Sequence, residues 1–343
     1  MSQILLNRNE VLHGPAPACE QVWLHFKREE AALYREGYFT SALIPALSRK
    51  FSVPEDHIIL GYGSEELLQV VFDTLAPHQD TVLTHAYHYS YYQKYLDFRG
   101  VALRTFAMQT RERWYVFDID DAIRQYHIVQ PRVLIINSPN NPTGNTISRR
   151  ELERLLQTVS SRTLVIVDQA YIEFEVGPQA ELFVDLLSVY PNLMLVRSFS
   201  KFYALAGFRI AYALCGSGVK SMLNYQNRYL GMNRLIEEVA IAALGARPYY
   251  ERVAQDIRAT RDAFLEQTKN LRHFYTYRSH GNFVLMQVPD VVRSPFNERM
   301  DAAPVVIGKY VDVHLYRISI ARSEHADALV NTLADVEANL LHQ

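Results

Sequence analysis

The 343-residue sequence contains only two cysteines, Cys19 and Cys215, and no excess of charge of either sign. Two cysteines in a chain of this length are not a disulfide framework, so we expect a reducing, cytoplasmic location. The 35 Lys and Arg residues and the 37 Asp and Glu residues leave a formal charge of −2. This balance argues against a nucleic-acid partner.

Long apolar runs are absent as well. No run reaches the length of a membrane span, and the stretch MSQILLNRNEVLHG has no long apolar segment behind a positive start. We therefore expect neither membrane insertion nor a signal peptide. Hydrophobic residues make up 49% of the chain, which is enough for a sizeable core.

Short apolar runs alternate with helical patterns through the middle of the chain. Strands are predicted at 57–63, 81–86, 132–139, 163–170, 193–200 and 209–215. Ser148 and Glu151 have capping-box spacing, which predicts a helix start there. This alternation predicts an α/β fold, with a mostly parallel central sheet and helices on both faces.

The pattern changes after about residue 245, where a long charged helical stretch leads to NFVLMQV, VDVHLYRISI and a terminal helix. These elements predict a smaller α+β domain. We expect an N-terminal arm (1–30) that joins the small domain, a large cofactor-binding domain (31–245) and a small C-terminal domain (246–343).

Polar clusters follow five predicted strands, where ligands bind in open α/β sheets. The clusters lie at 63–64, 87–92, 137–144, 168–171 and 198–201. The last cluster opens the segment SFSKFYALAGFR. Strand periodicity predicts that Ser198 and Ser200 share a face, with Lys201 at the strand end. Gly207 would allow a sharp turn before Arg209. This grouping suits a small, anionic, reactive ligand.

Three motifs carry a resemblance to a known family: NSPNNPTG (137–144), DQAY (168–171) and SFSK with AGFR (198–209). In order and spacing they resemble the signature of fold type I, class I/II pyridoxal-phosphate aminotransferases, and the nearest subgroup is histidinol-phosphate aminotransferase-like. The resemblance runs from NEVLHGP (9–15) to YRISIA (316–321). It implies the cofactor pyridoxal 5'-phosphate and amino transfer between an amino acid or amino phosphate and a 2-oxo acid, with 2-oxoglutarate as the expected acceptor.

The resemblance also implies roles for individual residues around the cofactor. Lys201 would bond to the cofactor aldehyde and later act as general base. Asp168 would keep the pyridine nitrogen protonated, and Asn141 and Tyr171 would hydrogen-bond the phenolic oxygen. The expected phosphate ligands are the side chains of Ser198, Ser200 and Arg209 and the backbone N–H groups of Gly63, Ser64 and Glu65. Tyr89 is expected to stack on the ring, with Tyr87 and Tyr92 as alternatives.

Substrate recognition follows the family pattern less closely. Arg317 in YRISI matches the arginine that holds the substrate's acidic group, and Asn141 is also expected to contact the substrate. His13 stands where the family has a substrate-contacting tyrosine, and Lys309 is a candidate for the second basic residue. These departures leave the identity of the amino donor open.

A second subunit is implied by the family's tyrosine that reaches a neighbouring cofactor phosphate. Tyr38 is our candidate and Tyr34 is the alternative. Either assignment implies a homodimer with shared active sites.

Three other interpretations of the sequence concern a lyase, a transcription regulator and a metal site. KFYA and YRISIARS also resemble threonine-phosphate decarboxylase, a lyase of the same fold that breaks the bond from Cα to the carboxylate. The aminotransferase-like half of a transcription regulator would need a DNA-binding module, and no basic helix pair precedes residue 57. His85 and His88 have no carboxylate or cysteine companion, so no metal site is predicted.

Overall fold

A computed structural model describes residues 4–34, 37–175, 183–303, 305–309 and 314–340. Within these ranges the chain forms two main β-sheets, each packed against helices. None of the helices in these ranges combines the length and apolar character needed to cross a bilayer.

The larger sheet has seven strands. In order across the sheet they are β2 (Ile58–Gly61), β10 (Ala211–Cys215), β9 (Leu193–Ser198), β8 (Leu164–Asp168), β7 (Val133–Asn137), β3 (Thr81–His85) and β4 (Ala102–Phe106). Strand β10 is antiparallel to both neighbours, whereas β9, β8, β7, β3 and β4 run parallel to one another. The prediction of a mostly parallel sheet is therefore confirmed. The sequence analysis missed β4, whose residues ALRTF are half exposed and form no apolar run.

Helices cover both faces of this sheet. They are α2 (Leu43–Phe51), α3 (Ser64–Phe72), α4 (Ser90–Arg99), α5 (Ile119–Val129), α6 (Arg149–Thr158), α7 (Val219–Met222) and α8 (Arg234–Gly245). Strand β8 shows why its apolar run is continuous: Val165 and Val167 join the core cluster on one face, and Leu164 and Ile166 join the cluster on the other. The predicted capping box of Ser148 is present at the start of α6.

The smaller sheet has five strands, ordered β1 (Ile4–Leu6), β13 (Val305–Lys309), β14 (Leu315–Ser319), β12 (Phe283–Gln287) and β11 (Tyr275–Tyr277). The other helices are α1 (Pro17–His25), which packs on α8, and α9 (Arg247–Thr268), α10 (Asp290–Ala302) and α11 (Ser323–Leu340). A separate hairpin joins β5 (Met108–Arg111) to β6 (Trp114–Phe117). Strand β1 thus lies in the same sheet as strands β13 and β14 of the C-terminal region; the domain boundaries themselves stay a prediction.

The segment after β9 differs from the sequence expectation. The strand ends at Ser198, so strand alternation does not apply to Ser200, whose backbone N–H instead donates to the Ser198 hydroxyl over 3.0 Å. A turn is present at Gly207, but it does not use the left-handed backbone that glycine favours. The left-handed positions are Ala204 and Arg209, each with φ of 52°, while Gly207 lies in a short 3₁₀ turn.

Candidate active site

A cavity of about 260 Å³ lies at the carboxyl edge of the larger sheet, against the N-terminal segment and β14. It brings together most of the residues expected to form the site, namely Ser64, Glu65, Tyr89, Asn141, Asp168, Tyr171, Ser198, Ser200, Lys201, Arg209 and Arg317. The polar residues that follow β2, β7, β8 and β9 therefore meet in one place, as the rule for open α/β sheets predicts.

Lys201 lies at the centre of this cavity. Its Nζ donates to the backbone oxygen of Arg8 over 2.7 Å and lies 6.0 Å from the ring centre of Tyr171. Burial, and secondarily the positive charge of Arg317, lowers the pKa of Lys201 to about 8. A substantial fraction of the amine is therefore neutral near neutral pH, which is the form that attacks an aldehyde.

Asp168 ends β8 and forms the floor of the cavity. Its carboxylate accepts the Tyr92 hydroxyl over 2.7 Å and the Ala170 N–H over 3.2 Å. Burial raises the pKa of Asp168, and none of the described cationic side chains forms an ion pair with it. A buried carboxylate with neutral donors is stabilised by a cation placed beside it, and the protonated nitrogen of a pyridine ring fits that requirement.

The part of the cavity beside the start of α3 is suited to an anion. Gly63, with φ of +86°, precedes the first residue of α3, Ser64, so the unpaired N–H groups of a helix N-terminus face this part. An ideal Cβ on Gly63 would lie 2.4 Å from Nη2 of Arg209, so a larger residue there would displace that guanidinium in addition to straining the left-handed backbone. The same arginine donates to the Ser200 hydroxyl over 3.5 Å.

Glu65 has a second contact that was not expected. We assigned only its backbone N–H to the site, but its carboxylate also lies 3.3 Å from the Arg209 guanidinium. Its other oxygen accepts the Tyr89 hydroxyl over 3.0 Å. The side chain therefore links the anion end of the cavity to its aromatic wall.

The three candidate stacking tyrosines occupy different places. Tyr89 lines the cavity. Tyr92 is fully buried beneath it and bonds to Asp168, and Tyr87 packs its ring against Tyr115 at a centroid distance of 5.4 Å. The geometry thus favours Tyr89 for stacking.

Arg317 closes the remaining side of the cavity. Its Nη1 donates to Oδ1 of Asn141 over 2.6 Å, and its Nη2 donates to the backbone oxygen of Asn7 over 2.5 Å. Asn141 in turn donates from Nδ2 to the Tyr171 hydroxyl oxygen over 3.4 Å. The residues assigned to the phenolic oxygen and to the substrate's acid group therefore contact one another.

Several assigned residues do not line the cavity. His13 is half buried, where burial and the nearby Arg322 lower its pKa, and Lys309 is exposed at the end of β13. Tyr38 and Tyr34 are also exposed and lie outside the cavity. These placements leave His13 and Lys309 without a contact in the cavity of this subunit.

The histidines considered for a metal site have other roles. His85 is fully buried, its Nε2 accepts the backbone N–H of Asn137 over 3.2 Å, and burial lowers its pKa to about 3. Within the described ranges, no group of three His, Cys, Asp or Glu side chains could hold a metal ion.

Asn7 and Arg8 line the cavity without having been expected there, and Asn137, part of the expected cluster 137–144, lines it without having been given a role of its own. Asn137 opens the NSPNNPTG motif, so its place at the end of β7 could have been found from the motif. Asn7 and Arg8 gave no such signal, because they reach the cavity only through the pairing of β1 with β13.

The comparisons with known proteins agree with this geometry. Residues 2–330 match the family described as aminotransferase class I and II. The chain belongs to this family. A curated relative, histidinol-phosphate aminotransferase of Bacillus subtilis subsp. natto, is 28% identical over 338 residues, which cover 97% of this chain and 91% of the relative.

Two solved structures show the shared fold. Histidinol-phosphate aminotransferase from Sinorhizobium meliloti, in complex with pyridoxal-5'-phosphate, has a TM-score of 0.85 at 23% identity and covers 99% of this chain and 92% of its own. L-threonine-O-3-phosphate decarboxylase from Porphyromonas gingivalis has a TM-score of 0.80 at 16% identity. The match covers 99% of this chain and 100% of the decarboxylase chain. The fold therefore does not separate the two reactions.

The protein is a pyridoxal-phosphate-dependent aminotransferase. When bound, the cofactor supplies an aldehyde that reacts with amines and a ring that withdraws electrons from the substrate Cα. The described cavity fits it, because a buried carboxylate, a helix N-terminus with an arginine beside it, and Lys201 all line that cavity.

Proposed function

We propose that the protein transfers an amino group between an amino acid or amino phosphate of the histidinol-phosphate type and a 2-oxo acid, with 2-oxoglutarate as the expected acceptor. The observation that carries this proposal is that Lys201, with its lowered pKa, lines one cavity together with Asp168 and Arg317. A transaminase needs an amine that can gain and lose a proton beside the substrate Cα.

Each residue then has one task. Lys201 holds the cofactor and, once displaced by the substrate amine, moves a proton at the substrate Cα. Asp168 keeps the pyridine nitrogen protonated from below. Arg317 binds the acidic group of the substrate through its planar guanidinium and so orients Cα towards Lys201.

Phosphate binding completes the assignment. Arg209, Ser200 and the N-terminus of α3 supply donors to the phosphate. Asn141 and Tyr171 lie where they can donate to the phenolic oxygen, on the side that carries Arg317. The preference for an amino donor of the histidinol-phosphate type rests on the curated relative and on the cationic side chain that faces the substrate.

We also propose that the active protein is a homodimer with shared sites. Tyr34 and Tyr38 expose 76% and 63% of their surface, and Tyr38 stacks on Tyr229 at a ring distance of 4.4 Å. Exposed aromatic side chains of this kind are typical of protein interfaces. A Tyr38→Phe chain mixed with a Lys201→Ala chain should recover activity in the mixed dimer, because one of its two sites is intact. If the Tyr38→Phe protein were as active as the wild type, Tyr34 would become the candidate for the tyrosine that reaches the neighbouring cofactor phosphate.

A cytoplasmic location stays a prediction. Both cysteines are buried and unpaired, as a reducing compartment would allow.

An absorbance spectrum of the purified protein, taken with a panel of amino acids and amino phosphates, tests the proposed reaction. A band at about 420 nm that moves to about 330 nm with one amine would identify the donor and show that the amino group has passed to the cofactor. The same panel followed for carbon dioxide release tests the decarboxylase alternative. Carbon dioxide release without a 2-oxo product would overturn the proposed amino transfer.

A further inference from the structure

Asn9 connects the smaller sheet to the cofactor site without lining the cavity. It is fully buried, at 0% exposure, and has a left-handed backbone with φ of 54°. Its side chain lies between Ser319, the last residue of β14, and Tyr171, which follows β8. A buried amide that spans two sheets is held in one orientation only if both of its ends are bonded.

The hydrogen bonds of Asn9 fix that orientation. Ser319 Oγ accepts the Asn9 backbone N–H over 2.8 Å and donates to Asn9 Oδ1 over 2.9 Å. Asn282 Nδ2 donates to the Asn9 backbone oxygen over 3.1 Å. The remaining group, the Asn9 side-chain NH₂, donates to the Tyr171 hydroxyl oxygen over 3.1 Å. The bond to Ser319 therefore determines which end of the amide faces Tyr171.

This arrangement constrains the hydrogen of the Tyr171 hydroxyl. Its oxygen accepts one N–H from Asn9 and a longer one from Asn141, at 3.4 Å. A hydroxyl has two acceptor positions and one hydrogen, so with both acceptor positions used the hydrogen must be donated in another direction. Tyr171 lines the cavity, so the cofactor's phenolic oxygen is available in such a direction.

We propose that Asn9 is a positioning residue that makes the Tyr171 hydroxyl a donor to the bound cofactor and thereby lowers the pKa of the Lys201 nitrogen in the holoenzyme. A hydroxyl that donates to the phenolic oxygen competes with the protonated Lys201 nitrogen for the same oxygen, so the nitrogen loses its proton at lower pH. The inference rests on the proposed role of Lys201 as the residue that holds the cofactor.

Other charged and titratable groups also face Tyr171 and Lys201. They are Glu10 of the N-terminal segment, Glu65 of α3, Tyr89 and Tyr92 at α4, Asp168 of β8, Arg209 and Arg317. Asn9→Gly removes none of these groups and adds no charge, whereas Asn9→Asp adds a carboxylate that also favours the protonated nitrogen. A shift in the titration of Lys201 that depends on both Asn9 and Tyr171 therefore reports on the bond between those two residues.

The test is a pH titration of the absorbance of the purified holoenzyme, which follows the proton on the Lys201 nitrogen. Asn9→Gly removes the amide without straining the left-handed backbone, and Asn9→Asp keeps the shape while replacing the donor with an acceptor. We expect the midpoint to rise by about 0.5 to 1 pH unit in Asn9→Gly, and by at least as much in Asn9→Asp. Tyr171→Phe should raise it in the same direction.

A double-mutant cycle separates positioning from a general structural effect. Asn9→Gly should cause no further shift in a Tyr171→Phe background, because the hydroxyl on which it acts is absent. As a matched control, Asn282→Ala removes a buried hydrogen bond to the Asn9 backbone but leaves the side-chain amide, and its midpoint should equal that of the wild type. The melting temperatures of all variants would show that each is folded.

The outcomes distinguish this inference from the proposed function. An unchanged midpoint in Asn9→Gly, an equal shift in the Tyr171→Phe background, or an equal shift in Asn282→Ala would each overturn the positioning role. If the Lys201→Ala variant instead kept the absorbance band of the wild-type holoenzyme, the proposed role of Lys201 would be overturned, and with it this inference.

Discussion

The two ends of the cavity are built differently. The cofactor end takes Asp168 and Ser198 from the last residues of β8 and β9, and Lys201 and Arg209 from the segment that joins β9 to β10 in the same sheet. The substrate end takes Asn7 and Arg8 from the chain after β1 and takes Arg317 from β14, both in the smaller sheet. The cofactor end therefore depends on the position of one sheet, whereas the substrate end depends on how two sheets pack together.

The charges of the two ends also differ. At the cofactor end, carboxylates lie close to the expected cations, with Glu65 beside Arg209 and Asp168 below the expected pyridine nitrogen. At the substrate end, Arg317 donates to neutral oxygen atoms of Asn141 and Asn7. A guanidinium with neutral partners can exchange them for a carboxylate or phosphate at little cost. The substrate end is thus suited to an anionic group.

The largest effect is expected where the two ends meet. Lys201→Ala should abolish turnover, since Lys201 is the only lysine that lines the cavity among the residues that the structure describes, and its amine both holds the cofactor and moves the proton at Cα. Steady-state assays with the donor found by the spectral panel would measure this. Lys94→Ala, an exposed lysine on α4, is the control and should keep wild-type activity. Full activity of a folded Lys201→Ala protein would contradict the assignment.

Asp168 tests the cofactor end alone. Asp168→Asn keeps the size of the side chain but removes its charge, so the pyridine nitrogen would lose its proton and the rate should fall about 10²- to 10³-fold. The absorbance spectrum and kcat measure the effect. Asp185→Asn, a half-exposed carboxylate that pairs with Arg149, should change neither. If the rate of Asp168→Asn matched the wild type, the carboxylate would have no part in the chemistry.

Arg317 tests the substrate end. Arg317→Ala should lower kcat/KM for the acidic substrate by about 30-fold or more, as the loss of a buried charged partner does, while the cofactor spectrum should change only through the pKa of Lys201, which the charge of Arg317 lowers. Arg317→Lys should recover only part of the loss, because an ammonium cannot bind an acid group through two parallel bonds. Arg322→Ala, an exposed arginine nearby, is the control. A cofactor spectrum altered as strongly as kcat/KM would show that the two ends are not separable.

The same difference explains what the sequence could predict. Asp168, Asn141 and Lys201 each follow an apolar strand within a short motif, so their meeting at the sheet edge follows from the strands alone. Arg8 has no motif, and its place in the cavity depends on the parallel pairing of β1 with β13, whose residues are about 300 positions apart in the chain. His13 matched a family position in the sequence, but in the folded chain it lies near Arg322 rather than in the cavity. Contacts made by long-range packing leave no local pattern.

The lowered pKa of Lys201 gives a test on the protein without cofactor. Only the neutral amine attacks an aldehyde. As the pH is raised towards 8, the rate of pyridoxal phosphate uptake should therefore increase about tenfold per pH unit, and above pH 8 it should become constant. An ordinary lysine, whose pKa is about 10.4, would show a rate that still rises beyond pH 9. Absorbance after rapid mixing measures the uptake. A rate that keeps rising past pH 9 would show that burial does not lower the pKa.

The smallest effect is expected for Lys309, the sequence candidate for the second basic residue. It is exposed at the end of β13 and does not line the cavity, so Lys309→Ala should change kcat/KM by less than about twofold, as most exposed substitutions do. Arg8→Ala is the informative companion, because Arg8 does line the cavity. A large loss of kcat/KM in Lys309→Ala, with no loss in Arg8→Ala, would mean that the substrate end includes the end of β13. The smaller sheet would then contribute more residues to the substrate site than Arg317 and the segment after β1.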